Sequence, residues 1–193
     1  SVDHAGSGTW EELCFDFTGM TGGAAATALT LIFDLGVMGD AAGDPANWTF
    51  EFDDITQVAS CPGGGGGGSG SADIDFEVGG AGAGFTWTTF ENVDNPALEI
   101  IANPVSGGIN TSATVAKFTA RQDGAPWAGV ETAHGDIGPL TLDATNSTVK
   151  IMVYKSVISD VGVKFAIPNG GAQPEIKVAN TLINQWEELT FDF

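Results

Sequence analysis

The sequence predicts an all-β antiparallel sandwich. Apolar residues recur at every second position over short stretches, the interruptions are Gly, Asn, Asp and Pro, and no segment longer than a turn or two carries a helical period with caps. Many such short stretches in a chain of 193 residues, 42% hydrophobic, suit one sandwich with one sizeable core.

Taken in chain order, strands are expected at 28 to 35 (ALTLIFDL), 48 to 55 (WTFEFDDI), 74 to 78 (IDFEV), 85 to 90 (FTWTTF), 98 to 102 (LEIIA) and 113 to 120 (ATVAKFTA). Further strands follow at 129 to 132 (GVET), 140 to 143 (LTLD), 147 to 155 (STVKIMVYK), 160 to 167 (DVGVKFAI) and 175 to 179 (EIKVA). In STVKIMVYK, Val149, Ile151 and Val153 face one way, and Lys150, Met152 and Tyr154 the other. In DVGVKFAI the core set is Val161, Val163, Phe165 and Ile167.

Residues 60 to 72, SCPGGGGGGSGSA, hold six consecutive glycines and no strand former. They read as a flexible linker with a reach of roughly 17 to 20 Å. The linker separates residues 1 to 59, with strands too few to close a core alone, from residues 73 to 193. TWEELCFDF at 9 to 17 returns as QWEELTFDF at 185 to 193, and from Trp10 onward only Cys14 against Thr190 differs. The chain therefore reads as the last strands of one module, a linker, and the first strands of the next copy. Head and tail either close on each other as a circularly permuted sandwich or close with neighbouring chains by strand exchange. One core has one slot for this strand, and the tail copy, ending the chain, is the expected donor.

Against 25 acidic residues stand 6 basic ones, a formal net charge of −19. That balance disfavours nucleic acid and anionic membranes as partners and leaves cations and neutral ligands. No apolar run approaches the roughly 20 residues of a spanning helix, so membrane insertion is not expected. Cys14 and Cys61 could pair or remain thiols; Cys14 points away from the apolar set Leu13, Phe15 and Phe17, where a passing linker could reach it, and a secreted setting would favour a disulfide.

With the two pieces joined at the shared strand, IDFE, TVKIMVYKSVISDVGVKFAIPNGGAQPEIKVANTLINQWEELTFDF and WTFEFDDI resemble the noncatalytic, jelly-roll-like carbohydrate-binding modules attached to family 16 laminarinase-like glycoside hydrolases of marine Bacteroidetes. The ends are similar to carbohydrate-binding module families 4 and 22, in circularly shifted order. The resemblance implies a secreted or cell-surface polysaccharide-binding module with a structural calcium. Carried over, its ligands are Glu77 and Asp53 or Asp54, with Asp75 nearby. Oxygen donors of this kind suit calcium independently of the resemblance.

For a sugar, whose C–H face stacks on aromatic rings, Trp87 and Trp127 are the expected platforms, each beside Gly, Pro or Thr near a strand end. Trp10, Trp186 and Trp48 read as structural. Tyr154, Lys150 and Lys164 are expected on one face of adjacent strands as a polar groove floor. Catalysis is not expected. The string Glu51-Phe-Asp53-Asp54-Ile-Thr56 lacks the closing Glu of the family 16 hydrolase motif, and no nucleophile, metalloprotease or phosphate-loop motif occurs. Sequons at Asn47, Asn110 and Asn146 would matter only in a eukaryotic secretory host. The expected function is binding of a β-glucan-like polysaccharide; the rival is a structural tandem-repeat module of an adhesin or filament, held together by strand exchange.

Overall fold

The computed structural model describes residues 26–35, 47–58, 74–138, 140–143, 146–168 and 174–193. Ten strands are described: β1 (Ala28–Leu35), β2 (Asn47–Val58), β3 (Trp87–Phe90), β4 (Glu99–Ala102), β5 (Thr114–Arg121), β6 (Gly129–Thr132), β7 (Thr148–Tyr154), β8 (Asp160–Ala166), β9 (Ile176–Ala179) and β10 (Trp186–Asp192). They form two five-stranded sheets, ordered β3-β6-β1-β8-β9 and β10-β7-β2-β5-β4. Every named pairing is antiparallel. The two sheets pack face to face as a β-sandwich, and no helix occurs among the described residues.

Residues before the Gly-rich stretch supply the middle strand of each sheet. β1 lies between β6 and β8, and β2 between β5 and β7. The alternation of ALTLIFDL sends Leu29, Leu31 and Phe33 inward, opposite Phe165, Val163 and Val161 of β8. From the other sheet Phe50 and Phe52 of β2 meet them, with Phe118 of β5 alongside. The Phe33 ring lies 4.9 Å from Phe52, 5.5 Å from Phe118 and 5.9 Å from Phe50, all within the range of attractive ring pairs. Ile55 and Ile74 exchange backbone hydrogen bonds of 2.9 Å, so the chain on either side of the Gly-rich stretch is held together.

Two expected strands are not strands. IDFEV pairs only at Ile74, because Phe76 takes a left-handed φ of 52° and the amides of Asp75 and Phe76 both donate to the Ala81 carbonyl. This turn drives the Phe76 ring into the core against Phe52. Gly82, at φ 97°, closes it where a Cβ would overlap Ile74. In LTLD, the strand pairing among the described residues is a single bridge from Leu140 to Ala26, although Leu140 and Leu142 are buried.

The tail copy of the repeated strand, expected as a donor to another chain, is seated in its own sandwich. β10 runs along β7, with Leu189, Phe191 and Phe193 in the core. The head copy at 9–17, both cysteines and the Gly-rich stretch lie outside the described residues.

Candidate functional site

The registers of β10, β7, β2, β5 and β4 set two rows of side chains across the outer face of their sheet. Trp186, Tyr154, Glu51, Lys117 and Glu99 form one row, and Glu188, Met152, Asp53, Val115 and Ile101 the next. An outer face is ordinarily wet, yet Asp53 is 0% exposed. The connection from β4 to β5 covers it. This segment, NPVSGGINTSA, turns at Gly107 and Gly108, whose φ angles of 132° and 65° suit glycine. It folds over the sheet as an arch.

Two asparagines shape the arch. The Asn103 amide donates to Asn110 Oδ1 at 2.9 Å and to the Ser112 carbonyl at 3.1 Å, and its own Oδ1 accepts from Val105 N at 3.0 Å. Asn110, fully buried, donates to Asp53 Oδ2 at 3.1 Å. At the far side, Trp186 Nε1 donates to the Val105 carbonyl at 3.0 Å, while its ring packs 5.6 Å from Tyr154. Burial of Asn110 rules it out as a glycan acceptor in the folded chain, because the sequon's amide already serves Asp53.

Asp53 Oδ1 has no hydrogen-bond partner among the described residues. Burial pushes its carboxyl up from the usual 3.8 to about 6; the Ser112 hydroxyl and the Asn110 amide oppose the rise, and the neighbouring Asp54 adds to it. Burial also raises Glu51, against its own backbone hydrogen bond and the nearby Lys117 charge. Asp54 stands at φ 47°, within the bulge that shifts the β2–β7 register.

The carboxylates carried over as calcium ligands are in different situations. Glu77 Oε1 accepts from the amides of Ala113 and Thr114 at 2.5 and 3.2 Å, and Oε2 from the Thr114 hydroxyl at 3.3 Å. Asp75 Oδ1 caps the Glu77 amide at 3.1 Å. Glu77 and Asp75 thus fasten the turn after Ile74 to the start of β5. Among the described residues no three His, Cys, Asp or Glu side chains converge as a metal-holding group.

The expected groove residues separate. Tyr154 and Lys150 lie on this outer face, Lys150 bound to Glu188 at 2.7 Å. Lys164 is opposite Thr30 in the other sheet. The cause is the connection 155–159, which crosses from one sheet to the other where a hairpin would have kept the strands adjacent. Trp87, the other expected platform, is partly buried against the core. Its place in register with Thr132 turns it inward onto Phe52, Phe76 and Phe85, and its Nε1 donates to the Gly82 carbonyl at 2.9 Å.

Trp127 is different, with 51% of its surface in water. It stands on the loop between β5 and β6, at one end of the sandwich. That loop is braced by its neighbour at 91–96, where Glu91, Asp94 and Asn95 all have positive φ. Asn92 ties that neighbour to β5, donating to the Thr119 carbonyl at 2.8 Å and accepting from Arg121 N at 2.9 Å. Ala125 N donates to the Glu91 carbonyl at 2.9 Å. The indole is thus an exposed ring on a fastened support.

Comparison with protein families finds no match, and neither curated proteins nor solved structures match the chain.

Proposed function

We propose that this chain is a noncatalytic polysaccharide-binding module of a secreted or cell-surface protein, taking a neutral or weakly charged glycan such as a β-1,3-glucan on the Trp127 end of the sandwich. The observation that carries this reading is the half-exposed indole on a braced loop. A flat apolar ring in water matches the C–H face of a sugar, and a support already ordered adds little entropic cost on binding. The net charge of −19 argues against polyanionic glycans. A noncatalytic role is supported by Asp53, which shares the outer face with Glu51 but lies beneath Asn110, out of reach of a substrate.

Calcium belongs to the same proposal in altered form. The unpartnered buried Oδ1 of Asp53 fits a cation, whereas Glu77 already caps the start of β5. Calcium there would be held by Asp53, with Asp54 adjacent. If it binds, a chelator lowers the melting temperature of the native protein; an unchanged melt excludes a structural calcium.

The test of the main reading is Trp127→Ala on affinity gels containing laminarin-type glucan. Loss of one stacking platform should weaken binding by about 1 to 3 kcal/mol with an unchanged melt. Undiminished retardation of the variant overturns the site, and no retardation of the parent chain by any neutral glucan overturns the function.

A further inference from the structure

The edge of β7 is a groove for one particular strand sequence. β10 fills it with Trp186 opposite Tyr154 and Asp192 opposite Thr148, and among the described residues no strand pairs with its other edge. Glu187 accepts from the Thr181 amide at 2.8 Å, the Thr181 hydroxyl at 2.7 Å and the Leu182 amide at 2.8 Å. Glu188 pairs with Lys150, and Asp192 Oδ1 accepts from the Thr148 hydroxyl at 2.8 Å. Trp186 donates to the arch, and Leu189, Phe191 and Phe193 enter the core. Thr190 points to solvent.

Residues 10–17, WEELCFDF, repeat residues 186–193 with a single change, Cys14 in place of Thr190. The repeated side chains are those the groove engages, and the changed one is the one it leaves in water. Any segment with these residues in this order satisfies the groove as β10 does.

We propose that the β7 edge is a binding site for residues 9–17 of the same chain, which compete with β10 for it. Either terminal segment completes the sandwich, and the other is surrendered as a free strand able to enter the matching edge of another copy. The geometry favours the chain's own segment as the competitor. Phe193, at the end of the groove, donates its amide to the Ser147 carbonyl and sets its ring 5.1 Å from Phe165, which faces Leu29 near the start of β1. The stretch 18–25 spans up to roughly 25 to 30 Å when extended, while facing sheets lie about 10 Å apart. A tether of that length holds its segment near the groove at an effective concentration on the order of millimolar, far above that of a second copy at micromolar concentration. The contacts that receive Glu187 do not depend on β10 alone, since Asn180 accepts from Ser159 N and donates to the carbonyls of Val157 and Leu182.

The experiment uses the full chain carrying Cys61→Ser and Lys150→Cys. Position 150 lies opposite position 190 in the groove, so a seated head segment brings Cys14 across from the new thiol. Mild oxidation is expected to give a disulfide within single chains, seen by non-reducing electrophoresis and peptide mapping. Two free thiols, under conditions in which a Cys14→Ser, Cys61→Ser, Lys150→Cys, Thr190→Cys control closes, overturn the proposal. A disulfide formed only between chains overturns the assignment to the chain's own segment. A second measurement does not rely on trapping. Leu189→Asp with Phe191→Asp should still melt cooperatively, because Leu13 and Phe15 replace them, and adding Leu13→Asp and Phe15→Asp should abolish the melt. Unfolding of the first variant by itself also overturns the proposal.

Discussion

At the scale of single residues, Asp53 and two tryptophans show how burial reassigns chemistry. The carboxyl of Asp53 titrates near 6 in the folded chain, above its ordinary 3.8. Folding therefore takes up a proton between those values, and the metal-free chain gains stability from this group as pH falls through that window. A shift of this size corresponds to up to about 3 kcal/mol at neutral pH. Asp53→Asn should raise stability at pH 7 by about 1 to 3 kcal/mol in urea titrations without calcium, and the advantage over the parent should shrink toward pH 4. Trp87 and Trp127 looked alike in the sequence because each sits beside turn formers. The difference is parity: Trp87 occupies an inward position of β3, while Trp127 occupies none. Trp87→Ala should accordingly cost about 3 to 5 kcal/mol of stability, read from the shift of the urea midpoint, where Trp127→Ala costs little.

At the scale of elements, connections decide more than strands do. The loops after β7 and β9 lean on one side chain: Asn180 is buried and bonded to Ser159, Val157 and Leu182. Asn180→Ala leaves a buried amide and two carbonyls short of partners, each omission worth about 1 to 3 kcal/mol. We expect a loss of about 2 to 4 kcal/mol overall, with hydrogen exchange accelerated first in β9 and β10. The arch over Asp53 shows the limit of reading by pattern. NPVSGGINTS announces a turn through its Gly pair and its asparagines, and Asn110 stands out only as a sequon. That the turn folds back over the sheet, and that Asn110 meets Asp53, depends on β4 lying beside β5 with β2 next in line. The expected strand at IDFEV failed for a related reason. Its alternation is sound, but the following EVGGAGAG permits a turn that places both Ile74 and Phe76 in the core, more burial than an edge strand would give them.

At the scale of the whole molecule, strands from both sides of the Gly-rich stretch share the same two sheets. β1 and β2 each have neighbours on both sides, and all of those neighbours come from residues after the stretch. Neither piece can close a core without the other. Cleavage at a protease site placed within residues 63–68 should leave two fragments that co-elute in size exclusion and part only in denaturant. Separate elution in native buffer would contradict the shared core.

The sequence by itself determined the all-β class, the apolar face of each long strand and the identity of the repeated segment, because these depend on a period of two and on local turn chemistry. β1, β2, β5, β7, β8 and β10 all stand within a few residues of where alternation puts them. What only the tertiary structure decided is which strands are neighbours. Lys150 and Lys164 belong to consecutive strands with outward side chains, yet they face away from each other on opposite sheets, since connection 155–159 changes layer. Asp53 shares its outward parity with Met152, and nothing local marks it for burial beneath Asn110, distant in sequence. Periodicity assigns a residue to a face; partnership across that face is set by long-range packing, which a one-dimensional pattern does not contain.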